Sequence, residues 1–219
     1  MNAAQGLRER KKEQTRQAIA ETARRLFGER GFDAVTVAEV ARAADVSEGT
    51  VFNYFPTKED LFYSGMETFE SALVEAVRDR PAGESILAAF RRFVLEGSRR
   101  LEAEEVADVI ASAARIVTAS PALQARERQI VADYTVALAE LVAEETRAPA
   151  GDIEPWVVAN ALMGAQRALV AHVRGRVLDG LRGAKLAAEL RTQARRAFAR
   201  LERGLGDYGV KKRTRQAST

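Results

Sequence analysis

No cysteine occurs in the 219 residues, so neither a disulfide nor a thiolate metal site is possible. The single histidine, His172, removes Ser/His and Cys/His nucleophile pairs and His-rich metal sites together. Catalysis would have to rest on carboxylates or lysines. No apolar run approaches the roughly 20 residues that cross a bilayer, and the opening MNAAQGLRERKKEQ has no apolar core of the secretory kind. The expectation is a cytoplasmic protein with no membrane partner. Aromatics make up only 6%, and beyond residue 80 they are little more than Phe90, Phe93, Tyr134 and Trp156, each read first as core. Charge of one sign is also lacking at the start: residues 1–60 carry ten basic and ten acidic side chains, while residues 185–219 carry ten and three. Attraction to phosphate at the first end must come from local arrangement, with Arg8, Arg10, Lys11, Lys12 and Arg16 set against Glu9 and Glu13.

What is present is helix after helix, with no strand candidate longer than a few residues, so the fold class is all-α. The informative stretch is Thr36 to Leu61, TVAEVARAADVSEGTVFNYFPTKEDL. Thr36 and Glu39 have the spacing of a capping box, which predicts a helix start. Val37, Val40 and Ala41 share one stripe, and Asp45, a residue that visits the left-handed region cheaply, lets the chain reverse before Val46 returns inward. Ser47 caps a second helix reaching Tyr54, with Val51 and Phe55 inward and Glu48, Gly49, Phe52 and Asn53 on the opposite side. Such a helix can meet the major groove with its outer face. Thr57 and Lys58 then begin a third helix, where a cation can grip a neighbouring phosphate. The candidate DNA contacts are Thr36, Ser47, Glu48, Gly49, Thr50, Phe52, Asn53, Tyr54 and Lys58. Glu48 has two readings, as an acceptor for a cytosine amino group or as a carboxylate stabilising the helix dipole from solvent.

At these residues the chain resembles TetR-type transcriptional repressors, through VSEGTVFNYFPTKEDL, the preceding TVAEVARAAD and the earlier ARRLFGERGFDAVT. Asp45 stands where glycine is commonest, and Phe52 where a tyrosine usually donates a hydrogen bond to phosphate. The resemblance implies a regulator without catalytic residues, cofactor or metal. It implies a homodimer on a palindromic double-stranded operator, and a helix after Lys58 that moves when a small molecule binds. ARIVTASPALQARERQ and ANALMGAQRALVAHV are similar to regulators of this type that take acyl-CoA-like ligands. The effector implied is therefore small and apolar or amphipathic.

The remaining patterns organise the chain. Residues 1–9 read as a disordered basic arm, 10–57 as the DNA-binding domain, 58–204 as a helical effector and dimerisation domain, and 205–219 as a flexible basic tail. The first helix runs from about Arg10 to Arg30 and ends at Gly31, with Phe32 folding back toward Phe27. One continuous helix is expected from Lys58 to Arg78, then one from Ser85, one from Glu104 to Thr118 and one from Pro121 to Glu145. The last two, Glu154 to Arg174 and Ala184 to Arg203, carry more apolar surface than one bundle side needs. Leu162, Ala165, Leu169, Leu190, Ala194 and Phe198 are the candidate dimer contacts. Candidate effector contacts are Met66, Phe69, Phe90, Phe93, Val117, Tyr134, Trp156 and Met163, with Gln166 and Arg167 as polar handles. The acidic group Glu102, Glu104, Glu105 and Asp108 reads as a solvated helix start, not a metal or catalytic cluster. A DNA-binding dimer with no effector is the alternative.

Overall fold

The computed structural model describes residues 3–64 and 66–210, leaving aside the side chains of 3–9 and 66–70. Among the described residues there are ten α-helices and one short 3-10 helix and no strand. They form two compact units, one from the chain up to Thr68 together with Arg115–Glu127, the other from Phe69–Ala114 together with the chain from Arg128. The first unit therefore draws in a helical corner from far downstream, beyond the boundary at 57 expected from the sequence.

In the first unit α1 (Ala3–Arg30), α2 (Val37–Ala43), α3 (Glu48–Tyr54) and α4 (Lys58–Tyr63) pack around Ile19, Ala23, Phe27, Val40, Val51, Phe55 and Leu61, each at most 2% exposed. Gly31, at φ +83°, closes α1 by returning its amide to the Phe27 carbonyl, and Phe32 stacks on Phe27 with ring centroids 5.1 Å apart. The reading of residues 1–9 as disordered is corrected for 3–9, whose backbone continues α1. That stretch contains no proline, and most of its residues are good helix formers. Arg10, Lys11 and Lys12 are exposed on the same helix, and the side chain of Arg8 lies outside the described residues.

The expected continuous helix from Lys58 to Arg78 is two helices. α4 ends at Tyr63, with Ser64 turning its hydroxyl onto the Leu61 carbonyl at 3.2 Å, and α5 begins at Met66.

The second unit holds α6 (Ile86–Gly97), the 3-10 helix Ser98–Glu102, α9 (Glu154–Leu178) and α10 (Gly183–Leu205), with most of α5 (Met66–Arg78), of α7 (Glu104–Ala119) and of α8 (Pro121–Thr146). Its core joins Leu73, Val77, Leu87, Phe90, Leu138, Val142, Leu162, Leu186 and Phe198. α8 and α9 both end in a backbone reversal. The Ala148 amide reaches the Ala143 carbonyl with Arg147 at φ +55°, and the Leu181 amide reaches the Arg176 carbonyl with Gly180 at φ +91°. The chain beyond α10 is not a free tail as far as Val210. Tyr208 packs on the core, and buried Arg80 donates to the carbonyls of Gly209 and Val77, each at 2.7 Å, while pairing with Glu145. A β-carbon on Gly209, which sits at φ +63°, would meet Ile86 Cδ1 at 2.4 Å. The basic tail residues Lys211, Lys212, Arg213 and Arg215 lie outside the described residues.

Candidate nucleic-acid interface

The helix pair is built by its caps. The Thr36 amide donates to Glu39 Oε2 at 2.8 Å and the Glu39 amide donates to Thr36 Oγ1 at 3.2 Å, so the expected capping box is present. Arg30 closes on the other carboxylate oxygen at 2.8 Å. The Thr36 amide, then the Arg30 guanidinium and the Thr36 hydroxyl, hold the Glu39 carboxyl down at about 2, because each favours the charged form. At the far end of α2 the Val46 amide reaches the Ala41 carbonyl at 3.0 Å and the Asp45 amide the Arg42 carbonyl at 3.3 Å. Asp45 stands between them at φ +54°, the left-handed residue that the reversal demands.

Ser47 then caps α3, its hydroxyl accepting from the Thr50 amide at 3.0 Å and lying 2.8 Å from the Thr50 hydroxyl. Val51 and Phe55 point inward, fully and almost fully buried, and Val46 is half-buried. Glu48, Gly49, Phe52 and Asn53 are exposed together, Phe52 at 47%, which leaves one face of α3 without a partner within its unit. Thr36, Ser47 and Thr50 use their hydroxyls on caps, and Tyr54 is half-buried. Of the expected DNA contacts on α3, Glu48, Phe52 and Asn53 thus present exposed side chains that no cap engages, with Gly49 exposed between them.

Lys58 opens α4. Its ammonium lies 4.2 Å from the centre of the Phe32 ring and 6.0 Å from that of Phe27, a cation–π seat that fixes a flexible side chain. Arg16 sits similarly, 5.4 Å over Phe55. The sequence pattern missed what holds α4 itself. Thr57 and Asp60 form a second capping box, legible as Thr-x-x-Asp, and Asp60 is 6% exposed and bound by Arg126 from α8, which no local spacing announces.

A capped helix pair with an exposed second helix, flanked by seated cations, defines a helix-turn-helix regulator of the DNA-binding class. The comparisons agree. The family described as bacterial regulatory proteins, tetR family, matches residues 19–64, and the MftR C-terminal domain matches residues 84–206, more than half of the chain. The chain belongs to the TetR family of transcriptional regulators. It is 32% identical over 142 residues to the regulator TcmR of Streptomyces glaucescens, covering 63% of each chain, so the match spans less than two thirds of that relative. Among solved structures it is similar to NalD of Pseudomonas aeruginosa, the secondary repressor of the MexAB-OprM multidrug efflux pump, with TM-score 0.56, 23% identity and coverage of 89% of this chain and 97% of that one. It is also similar to FadR of Bacillus subtilis in complex with stearoyl-CoA, with TM-score 0.51, 18% identity and coverage of 84% and 97%. These two likenesses concern the fold.

The other expected sites fare differently. Leu162, Leu169, Leu190, Ala194 and Phe198 are buried within the protomer, the last against Phe90 at 5.9 Å between ring centres, so they are corrected from dimer contacts to core. Ala165 is half-buried against the same core. The expected effector residues are placed as follows. Val117 is buried in the first unit, Phe90 and Met163 are buried in the second, Phe93 and Tyr134 are half-buried there, and Trp156 and Arg167 are exposed. The side chains of Met66 and Phe69 lie outside the described residues. Gln166 differs from the rest: it falls on the inward stripe of α9, and its Oε1 is buried with no hydrogen-bond partner. His172 pairs with Glu189 at 3.0 Å, beside Arg176. The acidic group is dispersed, with Glu102 on Arg191 and Asp108 on Arg182, and no cluster of metal-ligating side chains occurs among the described residues. Nor, among them, is any single helix long and apolar enough to cross a membrane.

Proposed function

We propose that this regulator is a homodimeric repressor that binds a palindromic double-stranded operator through α3 and is released by a small, mostly apolar effector. The observation that carries the DNA half is the exposed face Glu48, Gly49, Phe52 and Asn53, held rigid by the Ser47 cap and by the buried Val51 and Phe55 beneath it.

The dimer half rests on α9. Ile153, at 70% exposed, Trp156 at 46%, Val157 at 56% and Leu178 at 44% fall on one side with Gly164, Ala168, Ala171 and Gly175. Among the described residues, nothing beyond the adjoining backbone of α9 comes within 4 Å of a β-carbon placed on Gly164 or Gly175. A glycine inside a helix costs about 1 kcal/mol against alanine, and these two have no packing reason within the chain. A second copy of α9 lying close along this side supplies one. This face replaces the buried residues first expected to form the interface.

For the effector, the buried and unpartnered Gln166 oxygen favours a molecule that brings a hydrogen-bond donor to an apolar interior. The second reading, a dimer with no effector, is favoured by Phe90 resting on Phe198 and by Trp156 lying outside the core. Gln166→Leu separates the two. With an effector, the variant should stay bound to operator DNA in the presence of every molecule that releases the wild type, tested with acyl-CoAs and small phenols. With none, no molecule in such a panel releases either protein, and the variant melts higher by the worth of one unsatisfied group, about 1–3 kcal/mol. Sedimentation of the free protein as a monomer at micromolar concentration would contradict the dimer.

A further inference from the structure

The corner where α7 meets α8 is built into the DNA-binding unit by three polar contacts. Tyr63 donates its hydroxyl to the Leu123 carbonyl at 2.9 Å, Ser120 donates to Asp33 Oδ1 at 3.2 Å, and Arg126 binds Asp60. The third differs from the others in what it touches. Asp60 Oδ2 accepts the Thr57 amide at 2.9 Å, closing the cap that starts α4, while Oδ1 accepts Arg126 Nε at 2.8 Å and lies 2.8 Å from Nη2. One carboxylate thus joins the first turn of α4 to a guanidinium contributed from 66 residues downstream. Both partners are largely withdrawn from water, the Asp60 side chain at 8% exposed and that of Arg126 at 29%. The next residue along from the cap is Lys58, whose ammonium is seated over Phe32.

We propose that Arg126 is a positioning residue for DNA binding: by gripping Asp60 it fixes the start of α4 and with it the place from which Lys58 meets the phosphate backbone. Removing Arg126 leaves Asp60 a buried carboxylate with the cap alone to satisfy it, and the first turn of α4 loses its outside anchor. Because the anchor belongs to α8, a rearrangement of the α7–α8 corner that moves Arg126 reaches the start of α4 through this carboxylate. This rests on the reading that Lys58 contacts the duplex.

The test is a double-mutant cycle on the full chain between Arg126→Met and Lys58→Ala, with a duplex recovered by selection from a random pool and an unrelated duplex of equal length as probes. Arg126→Met should weaken binding to both duplexes by a similar factor, about fivefold or more, and by less than about twofold once Lys58 is alanine, since coupled residues are not additive. Arg126→Lys should recover part of the loss, and circular dichroism should show all variants folded. Asp60→Asn, which keeps an acceptor for the Thr57 amide but not the charge that Arg126 closes on, repeats the cycle should Arg126→Met not fold. Equal losses in both Lys58 backgrounds would reduce Arg126 to a structural contact and overturn the proposal. Wild-type protein that retains neither duplex, or a Lys58→Ala variant that binds as wild type does, would instead remove the reading on which it rests.

Discussion

Glu48 puts a negative charge on the exposed tip of α3, where phosphates approach. If it accepts from a cytosine amino group, Glu48→Gln should relax preference at one position of each half-site by about 1–3 kcal/mol and strengthen binding to unrelated DNA. Equal strengthening on every sequence would leave Glu48 with no base partner and shift the readout to Gly49, Phe52 and Asn53. Lys58 is proposed to make a contact of the other kind, with phosphate, which would carry no base information. Lys58→Ala should weaken all duplexes alike and reduce the salt slope by roughly one unit, and an unchanged slope would free Lys58 of the phosphate. Glu39 gives the pH dependence. Its folded-state carboxyl sits at about 2 against an ordinary 4.5, so the stabilisation is fully present above about pH 4.5 and is lost as pH falls through about 2. Glu39→Gln should therefore flatten acid unfolding within that window, and an identical acid limb in both proteins would show that the capping box does not persist in solution.

At the scale of the helices, one side of α9 is buried in the core and the other is exposed. Phe198→Ala, on the core behind it, should cost about 3–5 kcal/mol of stability without favouring monomers beyond what unfolding explains. Ala168→Glu, on the exposed side, should produce folded monomers by sedimentation, and a persistent dimer would take that face out of the interface. The same contrast shows how much is legible in the sequence. The helix pair is readable in detail because caps and reversals are local: Thr36 with Glu39, Ser47 and Asp45 each act on amides within four residues. The proposed dimer face is not, because α9 alternates small and large residues around its whole circumference, so periodicity alone cannot say which side the protomer consumes. The Asp60–Arg126 pair and the Arg80 anchor of Gly209 span 66 and 129 residues, and no spacing rule reaches so far. Arg80 in particular is a charge buried to 1% exposure, a placement that composition argues against. Gly209→Ala tests that anchor: the left-handed backbone and the contact with Ile86 should lower stability, and a neutral result would mean that the end of the chain detaches freely.

For the whole molecule, a homodimer with one reading helix per chain, as proposed, makes a demand on DNA. Two copies of α3 related by a two-fold axis must meet two inverted half-sites, separated by about one helical turn or a multiple of it, roughly 34 Å apart per turn. The most direct measurement is selection of duplexes from a random pool by the full-length protein, followed by sequencing. The expected result is an enriched palindrome with evenly spaced half-sites, bound by two chains or a multiple of two. Enrichment of a single, non-repeated site bound by one chain, or no enrichment at all, would contradict it.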